Sequence, residues 1–218
     1  MEKVIHFLKD LSANNNKEWF HSNRPAYEEN RDKILFLTEV LINEIGKFDK
    51  DVMGVMPKDC MFRIFRDVRF SQNKQPYKTN FGSFISKGGR KSMNAGYYFH
   101  IEPSGSFVGG GVYMPPAEPL KAIRNYMAEH ADEYLGIINE KSFKAVYPEM
   151  YNDQLKTAPK GFPKDHPYIH VLRYKSFAFS KSLKNEDVVG EQFIEQTVHA
   201  FEQLYKVNRF LNDAMNNS

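Results

Sequence analysis

Positive charge is concentrated in one stretch of this chain, residues 61–91. The stretch contains eight Lys or Arg residues and one acid, Asp67, whereas the rest of the chain contains 22 basic and 26 acidic side chains. The formal net charge of the whole protein is only +3. Because the excess is local, it indicates a site for an anion more than a general attraction of the surface to anions. Nothing in the stretch specifies a reaction.

The residues best suited to hold an anion lie between 63 and 78. If residues 61–70 form a strand, the odd and even positions point to opposite faces. Arg63, Asp67 and Arg69 then share one face. Guanidinium forks match the oxygens of a phosphate or carboxylate, and an adjacent carboxylate can orient them. We predict a site for a small phosphorylated or carboxylated anion, built from Arg63, Arg66, Asp67, Arg69, Ser71, Lys74, Tyr77 and Lys78. The structural alternative is an Arg–Asp network that only holds the strand against a neighbouring helix.

The segment that follows, residues 71–80, is predicted to be an ordered excursion that closes over this site. Pro76 restricts the backbone there. We therefore expect Tyr77 to turn inward and to be substantially buried.

Two other classes of function remain open. In a nucleic-acid-binding protein, Lys87, Arg90 and Lys91 would extend the basic surface, and the rings for base stacking would be Phe65, Tyr77, Phe81 or Tyr97. In a phosphoester hydrolase or transferase, Asp67 would be the base and the arginines would stabilise the charge of the transition state. An open basic surface favours the first class, and cations that converge in a concavity favour a small ligand.

A second group of polar residues lies at 98–102. Tyr98, His100 and Glu102 are spaced by two, so they share one face of a predicted strand. They form an acid–base pair if that strand lies beside the one that carries Arg63, and otherwise a solvated sheet face. His166 and His170 are four residues apart, but Pro167 excludes a regular helix between them, and we expect no metal site. No cofactor is expected.

The apolar pattern predicts an α+β fold. A helical stripe runs from Tyr27 through Ile34 and Leu41 to Phe48, and the last segment, with Phe193 and Leu211, is also helical. Turn-forming residues separate strands of a mostly antiparallel sheet, expected near residues 61–70, 80–86, 96–102, 106–114 and 168–180. No linker or repeat divides the chain, so we predict a single domain over residues 1–218, with helices from both ends packed on the sheet.

Composition favours a cytoplasmic protein that does not contact membranes. Cys60 is the only cysteine, which excludes an internal disulfide and fits a reducing compartment. The first ten residues mix charged and apolar side chains, so we expect no signal peptide. No window approaches the roughly 20 apolar residues of a membrane span. A small anionic ligand, and in the alternative a nucleic acid, are the expected partners, and a monomer is the default oligomeric state.

The motifs resemble one protein family along almost the whole chain. The resemblance is carried by Asn14-Asn15, Glu18-Trp19-Phe20, Arg66-Asp67-Val68-Arg69-Phe70-Ser71 with Lys74, Pro76, Tyr77 and Lys78, Gly109-Gly110-Gly111, Pro159-Lys160-Gly161, His166-Pro167 and Lys175-Ser176-Phe177. These motifs look like those of domain of unknown function 2461. Members often carry Asp where this chain has Asn73, so the resemblance implies no acidic role there. It implies one soluble α+β domain and no established activity.

Overall fold

A computed structural model of the chain describes residues 1–217. The helices and strands within this range are α1 (Glu2–Ala13), α2 (Lys17–Ser22), α3 (Arg24–Ile45), α4 (Pro57–Cys60), β1 (Phe81–Ile85), β2 (Gly96–Ile101), β3 (Phe107–Val112), α5 (Ala117–Asn139), α6 (Lys141–Val146), α7 (Ile169–Leu172), β4 (Phe177–Ser182), α8 (Asn185–Val189) and α9 (Phe193–Asn216). The four strands form one antiparallel sheet in the order β1-β2-β3-β4. The predicted α+β class is therefore confirmed.

Contacts group the chain into two compact units. The first consists of Met1–Lys91, Tyr98–Val108 and Ser182–Val198, and the second of Ser92–Tyr97, Gly109–Lys181 and the stretch from His199 onward. The candidate functional residues between 63 and 78, and also Tyr98, His100 and Glu102, belong to the first unit. The single domain over residues 1–218 stays a prediction.

In the first unit, α1 and α3 cover one side of β1. The Phe7 ring stacks on Phe81 at 6.3 Å, and Thr38 hydrogen-bonds to Ser83 across 2.9 Å. Phe81, Ser83 and Ile85 are buried, as the period of two requires for a sheet with one covered side. On β2, Tyr98 and His100 alternate with the buried Phe99 and Ile101 and are only half-buried. The polar face of β2 is thus accessible.

In the second unit, helices α5 and α9 supply aromatic side chains to a core around β4. Tyr134 contacts Phe177 at 6.1 Å and Phe210 at 5.3 Å. Close backbone packing explains the Gly109-Gly110-Gly111 run. A Cβ atom on Gly111 would collide with the carbonyl oxygen of Phe177, and its φ of +100° also favours glycine.

The structure corrects one predicted strand, that near residues 168–180. Residues Ile169–Leu172 form a helical turn, and the strand is Phe177–Ser182. The backbone here forms helical bonds: the Leu172 N–H donates to the Tyr168 carbonyl and the Arg173 N–H donates to the Ile169 carbonyl, each at 3.1 Å. The guanidinium group of Arg124 donates to the carbonyl oxygens of Leu172 and Tyr174, at 2.8 and 2.9 Å, and so satisfies backbone groups of an irregular segment.

Candidate functional site

The predicted strand at residues 61–70 is wrong. The segment pairs with residues 76–83 through isolated bridges, Met61 with Ser83 and Phe65 with Tyr77. The Arg66 N–H donates to the Pro76 carbonyl at 2.9 Å, and the Lys78 N–H donates to the Ile64 carbonyl at 2.8 Å. The two bridges are out of register, because they are four residues apart on one side and six on the other, and beyond Phe65 the ladder stops at Pro76, which has no N–H to return a bond. The alternation in the sequence therefore does not extend over a regular strand.

Tyr77 anchors this irregular segment to the helical layer of the first unit. Its side chain is 6% exposed, which confirms the predicted burial. Its ring stacks on Phe20 with the centroids 3.9 Å apart, and it also contacts Phe65 at 5.5 Å. The side-chain amide of Asn15 donates to the Tyr77 carbonyl at 3.0 Å and accepts from the Tyr77 N–H at 3.1 Å. Contacts with Asn15 and Phe20 thus hold the excursion at 71–80 in place at Tyr77.

The Asn15 contact is a feature that sequence reasoning missed. The spacing of Asn15 and Glu18 suggests a reciprocal cap at the start of a helix, but the cap of α2 is Asn16, which accepts from the Trp19 N–H at 2.9 Å. Asn15 is thereby free to bind Tyr77, which is 62 residues away in the sequence. Nothing in the local pattern signals a contact of that range.

The outer part of the basic segment is exposed and partly compensated internally. Asp67 accepts two hydrogen bonds from the Arg69 guanidinium, at 2.9 and 2.7 Å. These bonds, and to a smaller extent the charge of Arg63, hold the pKa of the Asp67 carboxyl below its usual value. A carboxylate held in this way is a weak base, so Asp67 is better suited to orienting Arg69 than to accepting a proton.

Arg66, Ser71 and Lys74 form the remainder of the loop. The Arg66 guanidinium donates to the Ser71 hydroxyl and to the Gln75 carbonyl, each at 3.4 Å. The Lys74 ammonium donates to the Val68 carbonyl at 3.1 Å. These are neutral acceptors, so the positive charges of Arg66 and Lys74 are not cancelled by them.

Lys78 and Arg63 form a pair of like charges. Lys78 is half-buried, and its Nζ lies 5.5 Å from the centroid of the Phe62 ring. Burial, and then the charge of Arg63, lower the pKa of the Lys78 ammonium. Among residues 1–217, neither side chain makes an ion pair with a carboxylate. Lys78 is therefore a partly buried cation that interacts with the like charge of Arg63, whereas Arg63 also interacts with the Asp67 carboxylate.

A continuous chain of hydrogen bonds lies on the accessible face of β2, next to Lys78. The Tyr98 hydroxyl lies 2.9 Å from His100 Nδ1, and His100 Nε2 lies 3.2 Å from Glu102 Oε2. Thr79 Oγ1 donates to the other carboxylate oxygen of Glu102 at 2.6 Å. Phe107 stacks on the His100 ring at 4.8 Å and fixes its plane. These bonds order the group, but the acid–base pair stays a prediction, because residues 61–70 form no strand beside β2.

The pKa values in this group follow from burial and from the nearest charges. Burial, with a smaller contribution from Glu102, raises the pKa of Tyr98 to about 12. Burial lowers the pKa of His100, and the charge of Lys78 acts in the same direction, while the bond to Glu102 opposes them. Tyr98 is therefore a neutral phenol and His100 a neutral imidazole at pH 7.

The other basic residues of the stretch, Lys87, Arg90 and Lys91, do not contact Tyr98, His100 or Glu102 through any hydrogen bond or ion pair described above. Lys87 pairs with Asp51 at 3.7 Å, and Arg90 donates to the Lys58 carbonyl at 2.9 Å. Lys91 is exposed. Of the rings proposed for stacking on bases, Tyr77, Phe81 and Tyr97 are buried, and Phe65 is 49% exposed. Only Phe65 in that set is therefore placed to meet a base.

The described residues contain neither a metal site nor a membrane-spanning helix. Within residues 1–217, no group of three or more His, Cys, Asp and Glu side chains is arranged to hold a metal ion. None of the helices in this range combines the length and apolar character needed to cross a membrane.

The fold defines an α+β protein with a four-stranded antiparallel sheet, and the candidate residues define a hydrogen-bonded polar group on β2. Residues 3–210 match the family described as "Conserved hypothetical protein (DUF2461)", and the chain belongs to this family. The family resemblance of the sequence motifs is thereby confirmed. No curated protein and no solved structure gives a significant match to the chain.

Proposed function

We propose that this protein binds a small phosphorylated or carboxylated anion at Arg63 and Lys78. The observation that carries the proposal is that Lys78 is half-buried, interacts with the like charge of Arg63 and makes no ion pair with a carboxylate among residues 1–217. Holding a partly desolvated ammonium next to a guanidinium is unfavourable. An anion between them would remove this cost and would gain charge-assisted hydrogen bonds from both groups.

The neighbouring residues suit secondary roles in the same site. Arg66, Ser71 and Lys74 can contact the part of the ligand that extends toward the loop. Arg66 and Lys74 donate only to neutral oxygens, and the Ser71 hydroxyl accepts one long bond, of 3.4 Å, from Arg66. Asp67 orients Arg69 at the exposed rim. Tyr77 contributes by holding the backbone next to Lys78, since its ring is buried against Phe20.

Thermal-shift measurements with inorganic phosphate, a nucleoside monophosphate, a sugar phosphate and a tricarboxylate test the proposal. A ligand that binds only the native state raises the melting temperature by mass action. We expect at least one of these compounds to raise it in the wild type and not in Lys78→Gln or Arg63→Gln. The effect should weaken, but not vanish, when the salt concentration is raised, because the site is only partly buried.

The matched control is Lys91→Gln, which removes the same charge from the same stretch at an exposed position. It should keep the full ligand-induced shift. If none of the compounds changes the melting temperature of the wild type, or if Lys91→Gln abolishes the shift as completely as Lys78→Gln, the anion site is not where we place it.

A second candidate function, binding of single-stranded nucleic acid, is favoured by one observation on the loop. Phe70 is 96% exposed, and the Arg69 guanidinium lies 5.9 Å from its ring centroid. An exposed ring among cations is suited to stacking on a base. Salt-sensitive retention of single-stranded RNA or DNA that is lost in Phe70→Ser, without any thermal shift from small anions, would favour this function instead.

We also propose that the protein is located in the cytoplasm, because its single cysteine, Cys60, is buried and forms no disulfide.

A further inference from the structure

The order of groups on β2 is that of a nucleophile, a base and an orienting carboxylate. The Tyr98 hydroxyl contacts one nitrogen of His100, and the other nitrogen contacts Glu102. The same order of hydroxyl, imidazole and carboxylate activates nucleophiles on unrelated folds, where geometry and not sequence position identifies it. The proposed anion site, with Lys78, lies beside this chain of groups.

The neighbours of His100 assign its tautomer. The amide Nδ2 of Asn80, 3.4 Å from Nδ1, can only donate, and the carboxylate of Glu102 beside Nε2 can only accept. Nδ1 therefore carries the lone pair and Nε2 carries the proton. In this tautomer the Tyr98 O–H donates to Nδ1, which is the hydrogen bond that a general base requires to the group it deprotonates.

Lys78 and Tyr98 both lie against the Phe62 ring. Lys78 Nζ is 5.5 Å from its centroid, and the centroid of the Tyr98 ring is 6.1 Å from it. Gly82 lies under the Tyr98 hydroxyl, and a Cβ atom there would come within 2.5 Å of that oxygen. The glycine thus leaves room for the phenol to reach His100, and the charge of Lys78 acts on the His100 ring.

We propose that Tyr98 is the nucleophile of a phosphoryl-transfer reaction, with His100 as its base, Glu102 as the positioning residue of His100, and Lys78 as the acid for the leaving group. The proposal rests on the anion site, because Arg63 and Lys78 must hold the phosphoryl group of a phosphoester. A lysine whose pKa is lowered by burial and by a neighbouring cation is also a better proton donor than a solvated one.

The reaction balances in two steps. In the first, Tyr98 Oη forms a bond to phosphorus, its proton passes to His100 Nδ1, the bond from phosphorus to the substrate oxygen breaks, and that oxygen takes a proton from Lys78. In the second, neutral Lys78 takes a proton from water as the water oxygen attacks phosphorus, the phosphorus–Tyr98 bond breaks, and Tyr98 regains its proton from His100. The products are an alcohol and phosphate, and each side chain returns to its starting protonation state.

The test uses the full-length protein with phenyl phosphate, p-nitrophenyl phosphate and bis(p-nitrophenyl) phosphate. We expect turnover of at least one probe, with a burst of released phenol and a phosphoryl adduct that peptide mass mapping places on Tyr98. Tyr98→Phe should abolish both the turnover and the adduct. His100→Gln should lower kcat by about 100-fold or more, the scale of general base catalysis.

Two further variants separate the roles of Lys78 and Glu102. Lys78→Gln should impair phenyl phosphate more than p-nitrophenyl phosphate, because the nitrophenolate leaves without a proton and the phenolate needs one. Glu102 raises the pKa of His100, so Glu102→Gln should lower kcat and also move the acid side of the pH profile to lower pH. A merely structural role of Glu102 would not move the profile. Glu102, Lys78 and the Tyr98 hydroxyl face the imidazole, with Phe107 on its ring.

The matched control is His6→Asn. His6 forms a comparable histidine–carboxylate contact, 3.4 Å from Asp10, on the exposed surface of α1, and its removal should leave the rates unchanged. An adduct mapped to another residue of the wild type overturns the assignment of the nucleophile without any variant, and turnover that survives Tyr98→Phe overturns it as well. If phosphate raises the melting temperature but no probe is turned over, the catalytic inference is wrong and the anion site stands. If none of the four compounds raises the melting temperature and there is no turnover, both are wrong.

Discussion

Replacing Asn15 with Ala is expected to destabilise the protein by about 2 kcal/mol, since it removes two hydrogen bonds worth about 1 kcal/mol each. Tyr77 forms the kind of antiparallel pair with Phe65 in which the N–H and C=O point away from the partner, so the Asn15 amide occupies the place of a neighbouring strand. Without that amide, both backbone groups of a buried residue lose their partner. This is a large share of the roughly 5–15 kcal/mol that stabilises a typical domain.

Denaturant unfolding of the two proteins measures this effect, and Asn14→Ala is the matched control. Asn14 is the preceding asparagine and makes one exposed hydrogen bond, to the Asp10 carbonyl at 3.0 Å. Its replacement should change the free energy of unfolding by about 0.5 kcal/mol or less. Asn15→Asp, which keeps the acceptor and loses the donor, should fall between Asn15→Ala and the wild type. Equal effects of Asn14→Ala and Asn15→Ala would refute the reasoning that Asn15 anchors Tyr77.

Three other expectations concern the hydrogen-bonded face and the core. Gly82→Ala should cost about 1–3 kcal/mol in denaturant unfolding, because its methyl group meets the Tyr98 hydroxyl, whereas Gly136→Ala, with no atom within 4 Å of the new Cβ, should not destabilise. The folded-state pKa of His100 lies below its unfolded value of about 6.5, so the free energy of unfolding of the wild type should fall as the pH drops through 6.5. In His100→Gln this fall should be smaller, and equal pH slopes of the two proteins would contradict the expectation. Cys60 is buried, which raises the pKa of its thiol to about 11, so a thiol reagent should label it only after unfolding; rapid labelling of the native protein would show that it is accessible.

Local periodicity was enough to predict much of the fold. The spacing of apolar residues predicted the buried side of α3, where Ile34, Leu37 and Leu41 are indeed buried. Glycine and proline turns bounded β1, β2 and β3 to within two residues at each end. Alternation along β2 also placed Tyr98, His100 and Glu102 on one face. These features depend on backbone geometry over a few residues, which a single sequence contains directly.

The same alternation failed at residues 61–70, because a strand also requires a partner that can supply hydrogen bonds, and Pro76 interrupts that ladder. The contacts that shape the site connect residues far apart in the chain: Asn15 with Tyr77, Asn80 with His100, and Thr79 with Glu102. Such pairs follow from the register of β1 against β2 and from the packing of α2. Composition and charge thus indicated the stretch in which to place an anion site. The pairing of distant segments put Lys78 and Tyr98 against the same Phe62 ring, and no local rule of spacing relates residues that only folding brings together.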